Sequence, residues 1–358
     1  MERPIEIKYW LENPKSEEAI NECKNVVRIL EKTSCLLVRD PRTVENDNQR
    51  FLDTMEQYFQ QPLEDIMADV HPELNFQVGI TPSGAESPLC VADPKCHEII
   101  AELSRNAKNA PLQPSRNDVK WRFLHRIGPR PTKTKFNELN CQPVCPAAIP
   151  NFTKLMDSWG NQLLAAAKTI TEMIAVGYGL PKDTITNMMK YGPHLLAPTG
   201  SDLSKYNKLN TILAGFHRDI DFLTLHGKSR FPGLDIWLRD GTKFLVSVPD
   251  GCLLVQAGMQ LEYLTGGRIT AGWHQVTVNE QTLTAIQTAK KAGRPLWRIS
   301  STLFCHIESD VEMRSLIGTE QEKKKEAEKL PPIIAGEFIK RELYKINLFA
   351  QDSKQGVK

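Results

Sequence analysis

The sequence lacks several features that would assign it to a class at once. No apolar run approaches the roughly 20 residues that span a bilayer, and the N-terminal residues lack the apolar segment of a secretory signal. The formal net charge of +2 is too small to indicate a polyanionic partner. We therefore expect a cytoplasmic monomer that acts on a small molecule, with no membrane and no nucleic acid as a partner.

Paired cysteine motifs are also missing. Eight cysteines are scattered along the 358 residues, and none forms a C-x-x-C pair. Without a signal segment, reduced thiols are expected rather than a disulfide framework. A zinc site is a weaker alternative, built from Cys90, Cys96, His97, Cys141 and Cys145.

What is present is the composition of an ordinary globular protein, with 41% hydrophobic and 25% charged residues. Ser16 can cap a helix whose apolar residues recur at helical spacing, and 34–40 (SCLLVRD) then predicts a strand. A second helix carries Phe51, Met55 and Phe59 on one stripe. Asn151 begins a long helix that ends near Gly177.

From about 211 to 310 the pattern changes to short β-type runs separated by tight turn signals. Such strands are typical of a sandwich or jelly roll. We predict an α+β fold with a double-stranded β-helix (jelly roll) core, flanking helices and an N-terminal α/β region. The predicted parts are 1–140 (helix and strand region), 141–312 (packing helix and catalytic core) and 313–358 (charged segment and closing helix).

Two stretches are harder to interpret. Residues 62–150 are rich in Pro, Gly and Cys and predict long loops. Within them, 120–135 (KWRFLHRIGPRPTKTK) mixes cations with aromatics and could meet an anionic substrate or a single-stranded nucleic acid. A solvated surface is the interpretation we favour, because charge runs are usually solvated.

A metal site is indicated by histidine and acid spacing. Two imidazoles and one carboxylate hold iron(II) in non-haem oxygenases, written His-x-Asp/Glu plus a distant His. Eight histidines predict about one such motif by chance, and three occur. The proline in 71–73 argues against a central strand, and no histidine follows 306–308. His217 and Asp219 share one face of a predicted strand, and His274 follows on a later strand.

An anchor for a carboxylate follows the last of these histidines. Oxygen activation by iron(II) needs two extra electrons, which a bound 2-oxo acid can supply by losing carbon dioxide. Its far carboxylate needs a fixed partner, and the planar guanidinium of arginine matches it bidentately. Arg298 and Ser300 form the only Arg-x-Ser in the chain. On a strand both side chains face the same way.

Together these motifs resemble the isopenicillin-N-synthase-like branch of the iron(II)/2-oxoglutarate dioxygenases. The resemblance extends to the N-terminal half, through 22–40 and 50–65. It implies His217, Asp219 and His274 as iron ligands and Arg298 with Ser300 as the 2-oxoglutarate anchor. It also implies use of dioxygen to hydroxylate, desaturate or cyclise a small organic substrate, with release of succinate and carbon dioxide.

The sequence departs from that family at two places. Ala197 stands where the family has a tyrosine that helps hold the 2-oxo acid, and 282–296 reads as an inserted helix. Alternatives are therefore a metal-binding jelly roll without turnover, an iron oxidase that does not use 2-oxoglutarate, and a zinc hydrolase on the same ligands. The candidate substrate residues are Phe216, Arg230, Phe304 and His306.

Overall fold

A computed structural model describes residues 2–91, 93–114 and 117–349. Within these residues the strands are β1 Ile5–Glu6, β2 Cys35–Arg39, β3 Gly79–Thr81, β4 Trp121–Arg126, β5 Leu195–Leu196, β6 Thr199–Asp202, β7 Ile212–His217, β8 Leu223–His226, β9 Leu234–Trp237, β10 Lys243–Leu245, β11 Leu253–Ala257, β12 Trp273–Thr277, β13 Trp297–Ile299, β14 Thr302–Cys305, β15 Glu312–Met313 and β16 Ile333–Ile334.

The helices of the same residues surround these strands. They are α1 Lys8–Glu12, α2 Glu17–Thr33, α3 Glu45–Phe59, α4 Leu63–Met67, α5 Pro94–Leu103, α6 Phe152–Gly177, α7 Thr184–Met188, α8 Met259–Leu264, α9 Glu280–Lys291, α10 Glu320–Lys329 and α11 Ala335–Lys345, with short 3-10 turns at Pro72–Leu74, Leu89–Val91 and Asn137–Leu139.

Local sequence signals account for the main helices. The Ser16 side chain accepts a hydrogen bond from the Ala19 amide, so the predicted cap of α2 is confirmed. Asn151 precedes α6 as predicted, but its side chain makes no capping hydrogen bond. The predicted inserted helix is α9, which begins with a reciprocal capping pair between Asn279 and Thr282.

Two β-sheets form the centre of the fold. A ten-stranded sheet has the order β1-β2-β11-β8-β14-β5-β4-β6-β13, with β3 paired to β4, and a four-stranded sheet has the order β10-β9-β12-β7. Neighbouring strands are antiparallel except for β1 and β2. Short antiparallel strands in two sheets are the arrangement of a jelly roll, so the predicted fold class is confirmed.

One large apolar core lies between the ten-stranded sheet and helices α2, α3 and α6. It extends from Ile5 to Leu348 and includes Phe338 and Ile339 of α11, so the closing helix is amphipathic as predicted. α10 has no buried residue, as its charge pattern indicates. The division into three parts stays a prediction, and residues 350–358 of the third part lie outside the described residues. No helix of the described residues could cross a membrane.

Two expectations are wrong. Residues 121–126 of the basic stretch form the buried strand β4, in which Phe123 and His125 are fully inaccessible. Alternation along a strand places its apolar side chains in the core, so the solvated interpretation fails there. Cys90 and Cys96 form a disulfide rather than two thiols, because the turn before α5 brings their Cα atoms to 5.2 Å.

Candidate metal centre

His217, Asp219 and His274 are brought together by pairing of β7 with β12. His274 lies directly opposite His217 in the strand register, and their ring centroids are 4.1 Å apart. Asp219 Oδ1 is 3.6 Å from Nε2 of each histidine. One ligand atom from each residue lies within 4.8 Å of the others. β7 ends at His217, so Asp219 follows the strand rather than lying on it as predicted.

The remaining side-chain atoms of His217 and Asp219 contact neighbouring groups. His217 Nδ1 is 2.7 Å from the Gly215 carbonyl oxygen, and with a proton on Nδ1 it donates there. Asp219 Oδ2 accepts a hydrogen bond from the Thr224 hydroxyl at 2.6 Å. His217 Nε2 and Asp219 Oδ1 stay free to bind an ion. Metal ligands are usually oriented by such outer contacts, so the donor set fits iron(II).

The protonation states also suit a cation. Burial and the neighbouring His274 lower the pKa of His217 to about 3, so its imidazole is neutral at physiological pH. Burial raises the pKa of Asp219, but His274, His217 and the Thr224 hydroxyl outweigh it and hold that pKa below its usual value. Metal ligands must be neutral imidazoles and ionised carboxylates. His217 and Asp219 have this form.

Arg298 and the cluster line the same cavity. We call this the Arg298 cavity; its walls include the three clustered residues together with His226, Arg298 and Ser300. Arg298 is only 7% exposed, and burial lowers its pKa to about 10. Its guanidinium Nε donates a hydrogen bond to the Pro232 carbonyl at 3.3 Å.

No carboxylate of the described residues lies within ion-pair distance of Arg298. A buried cation without a counter-ion is costly, so the cavity favours an anionic ligand at this end. The Ser300 hydroxyl, which accepts a hydrogen bond from the Thr199 amide at 2.9 Å, lines the same cavity. Its own proton can be given to such a ligand.

A second cavity is also lined by His217 and Asp219. We call it the apolar cavity, because leucine, isoleucine and phenylalanine form much of its lining, although charged side chains such as Arg218 and Glu342 line it too. Phe216, Phe304 and His306 line this cavity, and their contact with a substrate stays a prediction. The Phe216 ring is already stacked on Trp273 at 4.6 Å between centroids.

Arg230 is placed elsewhere. It lines neither cavity, and its guanidinium forms ion pairs with Asp53 at 2.7 Å and Glu56 at 2.8 Å. These partners satisfy its charge on the α3 side of the molecule. Arg230 therefore lies outside both cavities, away from the predicted substrate site.

Lys120 and Arg122 line both cavities beside the cluster. Lys120 pairs with Asp118 at 2.6 Å, and both cations pair with Glu86, at 3.1 Å from Lys120 and 3.0 Å from Arg122. Asp118 also accepts a hydrogen bond from the Gly215 amide at 2.9 Å, which ties this network to the strand that carries His217. Alternating basic residues are visible in the sequence, but there they favour a solvated surface over a buried strand.

Thr224 and His226 were also missed by sequence reasoning. Both lie on β8, and Thr224 holds Asp219 while His226 lines the Arg298 cavity. The sequence offered one signal, a histidine that ends the mostly apolar run 222–226. A lone histidine in such a run is more often a satisfied core residue than a ligand contact.

Comparisons with known proteins agree with this geometry. A family profile for the 2OG-Fe(II) oxygenase superfamily matches residues 182–307. Leucoanthocyanidin dioxygenase 1 of Oryza sativa subsp. indica is 23% identical over 206 residues, which cover 54% of this chain and 51% of that protein. The match thus spans about half the length of this curated relative.

Solved structures resemble the chain over nearly its whole length. A 2OG-Fe(II) oxygenase family protein from Caulobacter crescentus has a TM-score of 0.71 at 20% identity, covering 96% of this chain and 98% of the other. A full-length Neurospora crassa protein in complex with alpha-KG and thymine has a TM-score of 0.70 at 18% identity, covering 95% of each chain. These likenesses show the fold.

A jelly roll with a His-x-Asp and distant His cluster beside a buried arginine defines a class of non-haem iron proteins. Residues 182–307 of the chain match the 2OG-Fe(II) oxygenase superfamily, and the similar curated proteins and solved structures include dioxygenases and members of that superfamily. The resemblance predicted from the motifs is confirmed at this level. Iron(II), 2-oxoglutarate and dioxygen are the cofactors of this superfamily, and the residues of the cluster and of the Arg298 cavity fit the first two.

Proposed function

We propose that this protein is an iron(II)- and 2-oxoglutarate-dependent dioxygenase that oxidises a small organic substrate. The observation that carries the proposal is the pairing of two features in one cavity. The cluster of His217, Asp219 and His274 offers three ligand atoms, and the buried guanidinium of Arg298 has no carboxylate partner in the described residues. A 2-oxo acid reaches both, since one end chelates a metal and the other is an anion.

Each residue then has a defined task. His217, Asp219 and His274 hold iron(II), with Gly215 and Thr224 orienting the first two. Arg298 and Ser300 bind the far carboxylate of 2-oxoglutarate. When bound, iron with 2-oxoglutarate and dioxygen supplies the oxidising chemistry and releases succinate and carbon dioxide.

The substrate occupies the apolar cavity in this proposal. Phe304 and His306 line that cavity, whose other lining residues combine aliphatic side chains with charged ones such as Arg218 and Glu342, so a compact molecule with both an apolar part and a polar group fits best. The similar Neurospora crassa protein was crystallised with thymine, which supports a small organic substrate in general. Hydroxylation, desaturation and ring closure are all open to such a site.

The rival functions leave particular residues unexplained. A zinc hydrolase on the same ligands has no use for a buried unpaired arginine at Arg298. An iron oxidase that does not use 2-oxoglutarate has the same difficulty. A binding protein without turnover accounts for both sites equally well, and one assay separates it from the oxygenase.

The assay uses iron(II) and 2-oxoglutarate without oxygen, followed by air. We expect a weak visible charge-transfer band that needs both components, and then succinate on exposure to air. A band without succinate favours the binding protein. Iron binding with neither band nor succinate contradicts the proposal.

The anchor is tested by Arg298→Leu, with Arg294→Leu as the matched control. The Arg294 side chain is 45% exposed and pairs with Asp53. We expect Arg298→Leu to raise the 2-oxoglutarate requirement more than tenfold, because hydrogen bonds to charged groups are worth about 1.5–3 kcal/mol. Arg294→Leu should leave it unchanged. An unchanged requirement in Arg298→Leu means that another residue is the anchor.

A further inference from the structure

His226 occupies a fixed place in the Arg298 cavity. It is the last residue of β8, an inner strand of the ten-stranded sheet, and lies opposite Leu254 of β11 and Thr302 of β14. Arg298, Ser300 and the three clustered residues line the same cavity. His226 is close enough to Asp219, His274 and Arg298 for their charges to affect its pKa, so it lies near a ligand that joins the cluster to Arg298.

The two ring nitrogens of His226 are in different situations. Nδ1 is 3.1 Å from the Thr302 hydroxyl. Nε2 is buried and has no hydrogen-bond partner among the described residues. If Thr302 donates to Nδ1, the proton of the neutral ring lies on Nε2. A buried N–H group without an acceptor lowers the stability of the folded protein, so an acceptor for Nε2–H of His226 is expected.

Gln256 is the alternative partner within the protein. Its side chain is close enough to influence His226, and its amide oxygen also has no hydrogen-bond partner among the described residues. Its amide nitrogen is already within 3.0 Å of both the Gly272 carbonyl and His274 Nδ1. A purely structural role for His226 therefore means a hydrogen bond to the Gln256 amide oxygen, and the test must distinguish that bond from a ligand contact.

We infer that His226 binds the 2-oxo acid, donating a hydrogen bond from Nε2 to one of its oxygens as a third protein contact beside Arg298 and Ser300. This inference rests on the proposed function. It also supplies a replacement for the tyrosine hydroxyl that the family resemblance predicts at position 197, because the side chain of Ala197 has no hydroxyl. The Ala197 amide donates to the Thr302 carbonyl at 2.8 Å, so position 197 lies against the residue that orients His226.

The binding test compares His226→Leu, which removes both nitrogens, with His226→Gln, whose amide nitrogen can reach the place of Nε2. Calorimetry measures 2-oxoglutarate binding to protein loaded with manganese(II), which allows no turnover. We expect His226→Leu to weaken binding about tenfold or more. His226→Gln should recover most of this loss. Manganese affinity should be unchanged in both, and His71→Leu, a surface histidine, serves as the control.

A second measurement covers the case in which His226→Leu does not fold. The wild-type protein, loaded with diamagnetic zinc(II) and labelled with ¹⁵N in its histidines, is titrated with 2-oxoglutarate. The Nε2 signal of His226 should move on binding. A signal that stays in place shows that Nε2 is paired with Gln256 and overturns the inference.

The outcomes separate this inference from the function on which it rests. If wild-type protein with metal does not bind 2-oxoglutarate at all, the proposed function fails. If Arg298→Leu weakens binding while His226→Leu and wild type bind equally, the proposed function stands and the role of His226 is refuted. Loss of manganese binding in a folded His226→Leu variant also refutes it, because the histidine then supports the metal instead.

Discussion

At the scale of single residues, the carboxylate of the cluster allows the sharpest prediction. Asp219→Ala removes the one anionic ligand, and we expect iron(II) binding to fall at least a hundredfold with loss of turnover. Asp219 is buried and its Oδ1 lies between two imidazoles, so no exposed residue can replace it. Calorimetry with manganese(II) or iron(II) under nitrogen measures the change.

The matched control for this variant is Glu73→Ala. Glu73 belongs to another His-x-Glu motif, in which His71 Nδ1 lies 2.8 Å from Glu73 Oε1 at the surface. This change should leave metal binding as it was. Full metal affinity in Asp219→Ala would remove the basis for the cluster as a metal site.

Residue types and order in the sequence were enough to find the cluster. His217, Asp219 and His274 were identified from ligand spacing, and the structure brings them within 4.8 Å. Their role as ligands stays a prediction, as does the anchor role of Arg298. Arg230 could not be placed from sequence, because its partners Asp53 and Glu56 lie more than 170 residues earlier in the chain.

At the scale of secondary structure, α9 is an added helix whose packing can be tested. Ile286 is buried in a small apolar cluster with Leu213 of β7 and Phe231. Ile286→Ala should lower the free energy of unfolding by about 2–5 kcal/mol, through lost burial and a cavity. Denaturant unfolding of the metal-free protein measures this change.

Thr288→Ala provides the comparison on the same helix. Thr288 is exposed, and its hydroxyl bonds only to the Thr284 carbonyl one turn earlier. Its change should stay within about 0.5 kcal/mol of wild type. Equal effects of the two substitutions would mean that α9 does not pack as described.

Elements with strong periodicity could be predicted from the sequence, and those defined by distant contacts could not. α2, α3, α6 and α9 carry regular apolar stripes or caps, and all four were found. β4 was missed because its basic residue Arg122, together with Lys120 just before it, indicates a surface. Their partners Glu86 and Asp118 neutralise them inside the fold, and only the tertiary structure shows that pairing.

At the scale of the whole molecule, the cluster and Arg298 link ligand binding to stability. The two sites are carried by different sheets, His217 and His274 on the four-stranded sheet and Arg298 on the ten-stranded one. A 2-oxo acid that is bound by metal and Arg298 connects the sheets. Any ligand that binds only the folded state stabilises it by mass action, by about 2.7 kcal/mol at one hundred times its dissociation constant.

We therefore expect a stepwise rise in the thermal unfolding midpoint. Manganese(II) should raise it, 2-oxoglutarate should raise it further only when the metal is present, and a chelator should reverse both increases. Arg298→Leu should keep the first increase and lose most of the second, whereas Asp219→Ala should lose both. Scanning calorimetry at fixed ligand concentrations measures these steps. An equal effect of 2-oxoglutarate with and without metal would show that the acid does not bridge the sheets through the ion.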